Sequence, residues 1–225
     1  MSLRCSRISG AAVAVARWHA SAPSWSTSTP IAAAARTTTP ILSFYQEAVE
    51  RRCGIRLSDP LIYEAFTYYD REVLPYKNDD VINAHAMPGA HAALQAVQDA
   101  GLRCALFTNP SFPQGAIECR MGWGDLADAP FELVTHMGNA TRCKPDTTYY
   151  LEQLQVMGLE PHEVLMVGND PKRDFPSPDC GIQTAFVGQG KPSRATWRGT
   201  MEGFAHDFNA VVEAFYEHQI ADELS

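Results

Sequence analysis

From Ile41 onward the apolar positions follow two alternating rhythms. Residues 43–53 (SFYQEAVERRC) set Phe44, Ala48 and Val49 at helical spacing, and Gly54 supplies a C-terminal stop. Residues 59–74 form a second helical pattern with Tyr63, Phe66, Thr67 and Tyr69 on one face, a stripe expected to be core. Pro88-Gly89 opens a helix through Asp99 that Gly101 closes. The remainder alternates: strand 103–108 (RCALFT), helix near 113–121, strand 132–135 (ELVT), helix 147–157, strands 163–168 (EVLMVG) and 183–187 (QTAFV). An amphipathic helix over 207–219, bearing Phe208, Val211, Val212 and Phe215, ends the pattern. Strands alternating with helices of this length predict a doubly wound parallel α/β sheet.

Composition narrows the choice of partner. A chain of 225 residues suffices for one α/β domain with a small insertion. Its net charge of −8 argues against non-specific binding to nucleic acid or anionic membrane, which needs a basic face, and no apolar run approaches the ~20 residues of a bilayer span. The six cysteines (5, 53, 104, 119, 143, 180) form no Cys-x-x-Cys pair, and Cys104 and Cys180 sit in apolar contexts. They read as reduced thiols, neither disulfides nor zinc ligands, in a cytoplasmic compartment.

Residues 1–40 break with this picture. No acid precedes Glu47, although the chain holds 26, and the segment is rich in Ala, Ser and Thr with Arg4, Arg7, Arg17 and Arg36. Three readings stand: an organellar transit peptide, a disordered tail, or a stretch translated in the wrong frame.

The strand ends carry the chemistry, since open parallel sheets bind ligands beyond their carboxyl edges. The first strand stops at Thr108-Asn109, where a hydroxyl and the next backbone N–H can donate to a phosphate oxygen, though Thr-Asn-Pro is also an ordinary turn. Lys144, in Cys143-Lys144-Pro145-Asp146, offers a compact positive charge; the plainer alternative is a solvated lysine beside a helix N-cap. The apolar strand 164–167 runs into Gly168-Asn169-Asp170, with Asp174 four residues on. Two acids after such a strand are more than a turn requires, and they suit a hard cation such as Mg2+.

Taken in order, strand–Thr, Lys-Pro before a helix, and strand–Gly-Asn-Asp-x-x-x-Asp resemble the second, third and fourth motifs of the haloacid dehalogenase (HAD) superfamily. The resemblance covers about Met87 to Val187. It implies a Rossmann-like core over 86–225 and a small helical cap over 41–85. It further implies that Thr108 and Asn109 hold phosphate and that Lys144 steadies the nucleophile and the transferred group. Asp170 is the implied Mg2+ ligand, with Asp174 as second ligand or support. Pro176 and Pro178 depart from the small-residue helix that usually follows the fourth motif.

The first motif of that superfamily, an apolar strand ending in Asp-x-Asp, is absent: no Asp-x-Asp occurs in the chain. Ala11 to Val15 could stand in for the strand, but Arg17, Trp18 and His19 follow it. His19 reads as incidental. With G-ending codons, Ala22 to Pro30 is written GCG CCG TCG TGG TCG ACG TCG ACG CC. From its third base that string gives Ala-Val-Val-Val-Asp-Val-Asp-Ala, a strand with the missing motif. The expected function is a Mg2+-dependent phosphatase acting on a small phosphorylated molecule through an aspartyl-phosphate, impaired in this chain. The alternatives are an inactive phosphate-binding protein and a haloacid dehalogenase.

Overall fold

The computed structural model describes residues 12–17, 39–78, 84–190 and 194–223. Its centre is a six-stranded sheet: β1 (Ala12–Arg17), β2 (Leu102–Phe107), β3 (Leu133–Val134), β4 (Val164–Gly168), β5 (Gln183–Val187) and β6 (Trp197–Gly199), in the order β3-β2-β1-β4-β5-β6. The pairs β2–β3 and β4–β5 are parallel, as expected, and so is β5–β6. The central strand is the exception within this parallel α/β sheet, because β1 runs antiparallel to both β2 and β4. Ala12 lies opposite Phe107 and Arg17 opposite Leu102, so the chain enters β1 at the carboxyl edge of its neighbours and leaves at their amino edge.

Alternation along the strands splits the core between the two faces of the sheet. Ala105, Phe107, Val164 and Met166 pack with Tyr149, Tyr150, Leu151 and Leu154 of helix α5 (Thr147–Met157). Cys104, Leu165, Val167, Ala185 and Val187 face the other way. There they meet Leu94 and Val97 of α3 (Ala90–Asp99), Phe204 of α6 (Met201–His206), and Phe208, Val211 and Phe215 of α7 (Phe208–Glu223). Helices on both faces make the sheet doubly wound. Strand β6 and helix α6 were not legible in the sequence. No helix forms around Pro176 and Pro178; a 3-10 turn spans Pro178–Cys180 instead.

Residues 41–77 form a helical lobe, anchored to this core at Ile41, as α1 (Ile41–Cys53), α2 (Pro60–Tyr68), a π turn (Tyr69–Val73) and a 3-10 turn (Leu74–Lys77). Pro60 occupies the first turn of α2, and the Asp59 carboxylate caps it by accepting from the Leu61 N–H at 3.0 Å. This lobe meets the core at α4 (Gln114–Trp123), where the Trp123 indole N–H donates to the Pro75 carbonyl at 3.2 Å. The aromatic stripe expected to be core is not: Tyr63, Phe66 and Tyr69 are exposed. Two short helices cannot enclose a core of their own, and no second layer covers this face among the described residues.

Candidate functional site

Each polar residue singled out in the sequence sits just past the carboxyl end of a strand or at the start of a helix on that edge. Lys144 precedes α5, whose first turn is capped by Asp146 accepting from the Thr148 N–H at 2.8 Å. The Lys144 side chain is wholly buried, and its Nζ donates to the Phe107 carbonyl at 2.8 Å and to Asp174 Oδ1 at 2.6 Å. Those bonds join the ends of β2 and β4 through one ammonium. Burial pushes Lys144 below the ordinary lysine range, and the Asp174 carboxylate pulls it partly back.

Asp174 is also wholly buried, and both of its oxygens are engaged. Oδ1 takes the Lys144 ammonium, while Oδ2 accepts from the backbone N–H groups of Asn169 (3.0 Å) and Asp170 (2.9 Å). Gly168 makes this possible, because a Cβ there would lie 2.4 Å from the Asp174 Cβ. Asp174 therefore ties Lys144 to the loop after β4 and presents no uncommitted oxygen toward a cation. Asp170 is more open: its Oδ1 accepts from the Lys172 N–H at 3.0 Å and its Oδ2 lies 3.6 Å from the Arg173 guanidinium. Beside it, Asn169 Oδ1 is buried with no hydrogen-bond partner among the described residues, as is Asn109 Oδ1 at the end of β2. Unpaired buried carbonyl oxygens are costly, and two at one sheet edge mark a place where donors or a cation are wanted.

Thr108 departs from its expected pose. Its hydroxyl donates to the Thr135 carbonyl at 2.6 Å, so that proton is not directed at a ligand. Its backbone N–H donates to Thr135 Oγ1 at 2.7 Å, and its carbonyl accepts from the Tyr149 phenol at 2.6 Å. Thr135, Tyr149 and Asn169 are the site residues that sequence reasoning passed over. Thr135 ends the ELVT strand as Thr108 ends its own, which is a usable signal; Tyr149 is a buried ring of its helix that nothing in the sequence marks off. Among the described residues no three His, Cys, Asp or Glu side chains cluster as a metal site, and no helix is long and apolar enough to cross a membrane. His19 lies outside the described residues.

The arrangement can neutralise an anion with Lys144, offer it backbone donors after β2, and present oxygen ligands after β4. Comparisons with known proteins bear on family and fold. A "Phosphoglycolate phosphatase" of Rhodospirillum rubrum is 30% identical over 115 residues, covering 51% of this chain and 46% of its own, so the chain spans about half of that relative. A solved β-phosphoglucomutase from Clostridium difficile superposes with a TM-score of 0.51 at 14% identity, over 81% of this chain and 79% of the other, which bears on fold alone. A HAD phosphatase from Thermococcus onnurineus gives 0.46 at 16% identity, over 79% and 94%. The haloacid dehalogenase-like hydrolase family matches residues 26–177, a span that begins beyond β1 and takes in the lobe, the Lys144–Asp174 pair and both polar strand ends. That span is more than half the chain, and the protein belongs to the haloacid dehalogenase-like hydrolases.

Proposed function

We propose that this chain carries the phosphate-handling apparatus of a Mg2+-dependent phosphatase for a small phosphorylated molecule, and that as written it lacks the nucleophile. The observation that carries the reading is the convergence on one sheet edge of the Lys144–Asp174 pair, the Thr108–Asn109 turn and the Asn169–Asp170 oxygens. The phosphatase named among its relatives supports phosphate-ester chemistry over dehalogenation.

In this reading Lys144 neutralises the phosphoryl group, and Asp174 holds the lysine in place without touching substrate. The Asn109 N–H binds a phosphoryl oxygen. Thr108, whose hydroxyl proton is spent on Thr135, contributes by the placement of its backbone. Asn169 Oδ1 and the Asp170 carboxylate are oxygen donors that fit a Mg2+ keeping most of its waters. When bound, that ion would offset the charge of the phosphoryl group. Residues 41–85 act as a cap over the core of 86–225. The free thiols among the described residues favour a cytoplasm-like compartment.

The chemistry stops short of catalysis because β1 brings no acid to this edge. Ala12 is the β1 residue opposite Phe107, and the first acid in the chain is Glu47. This favours one second reading, an inactive phosphate-binding protein of the same family. Lys144, Asn109 and the Mg2+ donors can stabilise charge, but none of them can form the aspartyl-phosphate.

Hydrolysis of an aryl phosphate, with and without Mg2+, tests the reading. The chain as written should turn over very slowly. A gene recoding 22–30 as Ala-Val-Val-Val-Asp-Val-Asp-Ala, with the frame kept through Ile41, should gain Mg2+-dependent turnover. That turnover should vanish when the first restored Asp becomes Asn, which keeps the shape and loses the attacking carboxylate. Equal rates from the unaltered and recoded chains would refute the missing-nucleophile argument.

A further inference from the structure

The bonds around Thr108 form a closed ring. Its N–H can only donate, so Thr135 Oγ1 accepts there at 2.7 Å; its carbonyl can only accept, so the Tyr149 phenol donates there at 2.6 Å. Thr135 Oγ1 and Tyr149 Oη lie 2.9 Å apart. With the tyrosine proton already given to the Thr108 carbonyl, the tyrosine oxygen is the nearest acceptor for the threonine hydroxyl, ahead of the Thr108 carbonyl at 3.3 Å and the Leu106 carbonyl at 3.4 Å. Every proton then runs one way: Thr108 N–H to Thr135, Thr135 to Tyr149, Tyr149 back to the Thr108 carbonyl. Thr135 and Tyr149 are fully buried, where such chains of bonds reinforce one another. Burial also pushes the Tyr149 phenol well above its ordinary range, so it stays a donor.

The ring has a consequence for the next residue. The Thr108–Asn109 peptide is trans, because the only cis bond among the described residues is Lys144–Pro145. In a trans peptide the carbonyl and the following N–H point in opposite directions. Holding the Thr108 carbonyl back against Tyr149 therefore turns the Asn109 N–H away from the core. We propose that Thr135 and Tyr149 are positioning residues that fix the Thr108–Asn109 peptide and thereby aim the Asn109 N–H at the phosphoryl group. The inference rests on the phosphate site proposed above and adds to it two residues that touch no ligand.

Inorganic phosphate titrated into the 15N-labelled full chain tests both, reading the dissociation constant and the Asn109 amide resonance. In the wild-type chain that amide should move on saturation. Tyr149→Phe and Thr135→Val each remove one hydroxyl from the ring and should weaken phosphate binding about tenfold, with a smaller Asn109 shift. Thr135→Ser returns the hydroxyl and should restore both. Thr184→Val removes a buried hydroxyl on β5 that donates to the Arg194 carbonyl, and should change neither. Should Tyr149→Phe fail to fold, the Thr135→Val and Thr135→Ser pair decides. An Asn109 amide indifferent to phosphate in the wild type would overturn the site itself, and the positioning role with it. Phosphate binding and amide shift unchanged by Tyr149→Phe and Thr135→Val, or weakened equally by Thr184→Val, would overturn the positioning role and leave the site standing.

Discussion

Asp174→Asn separates a structural anchor from a metal ligand. In the native chain one oxygen of Asp174 takes the Lys144 ammonium and the other takes two backbone N–H groups. An asparagine has only one acceptor oxygen. If it faces Lys144, its NH2 confronts the Asn169 and Asp170 N–H groups; if it faces those, its NH2 confronts the ammonium. Either way a wholly buried cation loses its counter-charge. Breaking a buried pair from one side costs about 3–5 kcal/mol. Against a total stability of ~5–15 kcal/mol this is a large loss. With a urea slope of about 2 kcal/mol per molar, it lowers the unfolding midpoint by roughly 2 M. The control is Asp170→Asn, whose exposed contact to Arg173 is worth under about 1 kcal/mol. Both variants are unfolded in urea with EDTA present, so no metal contributes. A large loss for Asp174→Asn beside a small one for Asp170→Asn is expected. Equal, small losses that grow only on adding Mg2+ would show that Asp174 serves as a metal ligand and that the anchor argument is wrong.

Three further outcomes follow from the same geometry. Gly168→Ala drives a Cβ to within 2.4 Å of the Asp174 Cβ and should cost about 1–3 kcal/mol in urea unfolding; a neutral result would mean that Asp174 does not pack beneath β4. Phosphate affinity should fall as pH rises through a Lys144 pKa held by burial below the usual 10.5, since only the protonated ammonium attracts the anion; a midpoint at or above 10.5 in a pH titration would contradict this. Among the described thiols, Cys53 and Cys143 should react with a disulfide reagent in the native state. Cys104 (pushed up to about 12) and Cys180 (up to about 11) are buried and should react only on unfolding, so native labelling of Cys104 would refute its placement.

Much of the fold was legible because its signals are local. Helix α5 announces itself at both ends, with Asp146 as cap and Gly158 in the left-handed conformation after Met157. Strand β4 is a run of four apolar residues closed by glycine, as a strand buried on both faces should be. The acids after β4 stood out for a related reason, since two carboxylates after a wholly apolar strand are more than a turn requires; Lys144, which precedes a helix, stood out only by its place in the order of motifs. What escaped depends on distance. The hydroxyl of Tyr149 finds its partner 41 residues away, and nothing in the spacing of its helix distinguishes it from a plain core ring. The saturation of Asp174 was hidden likewise, since its lysine lies 30 residues upstream. Strand β6 and helix α6, of three and six residues, are too short for either rhythm to register.

The direction of β1 was the least legible feature, and it bears most on function. An apolar run reads the same both ways, so Ala11 to Val15 could be offered as a strand but not oriented. The strands on either side supply the need: β2 and β4 are buried, and their facing N–H and carbonyl groups must be paired. An antiparallel strand satisfies that need as well as a parallel one. It leaves Arg17 at the edge opposite the site, beside Leu102. Helix α1 starts at the site edge, where the Ile41 N–H donates to the Ala140 carbonyl at 2.9 Å and the Leu42 N–H to Met137 at 2.8 Å. A strand parallel to β2 and β4 would end at that same edge, one short loop from Pro40. The family match begins at Ser26, and the shifted frame puts its apolar run and two aspartates at 22–30. On the shifted-frame reading, that segment would bring the missing carboxylates to the site edge. Strand β1 accounts only for the backbone hydrogen bonds.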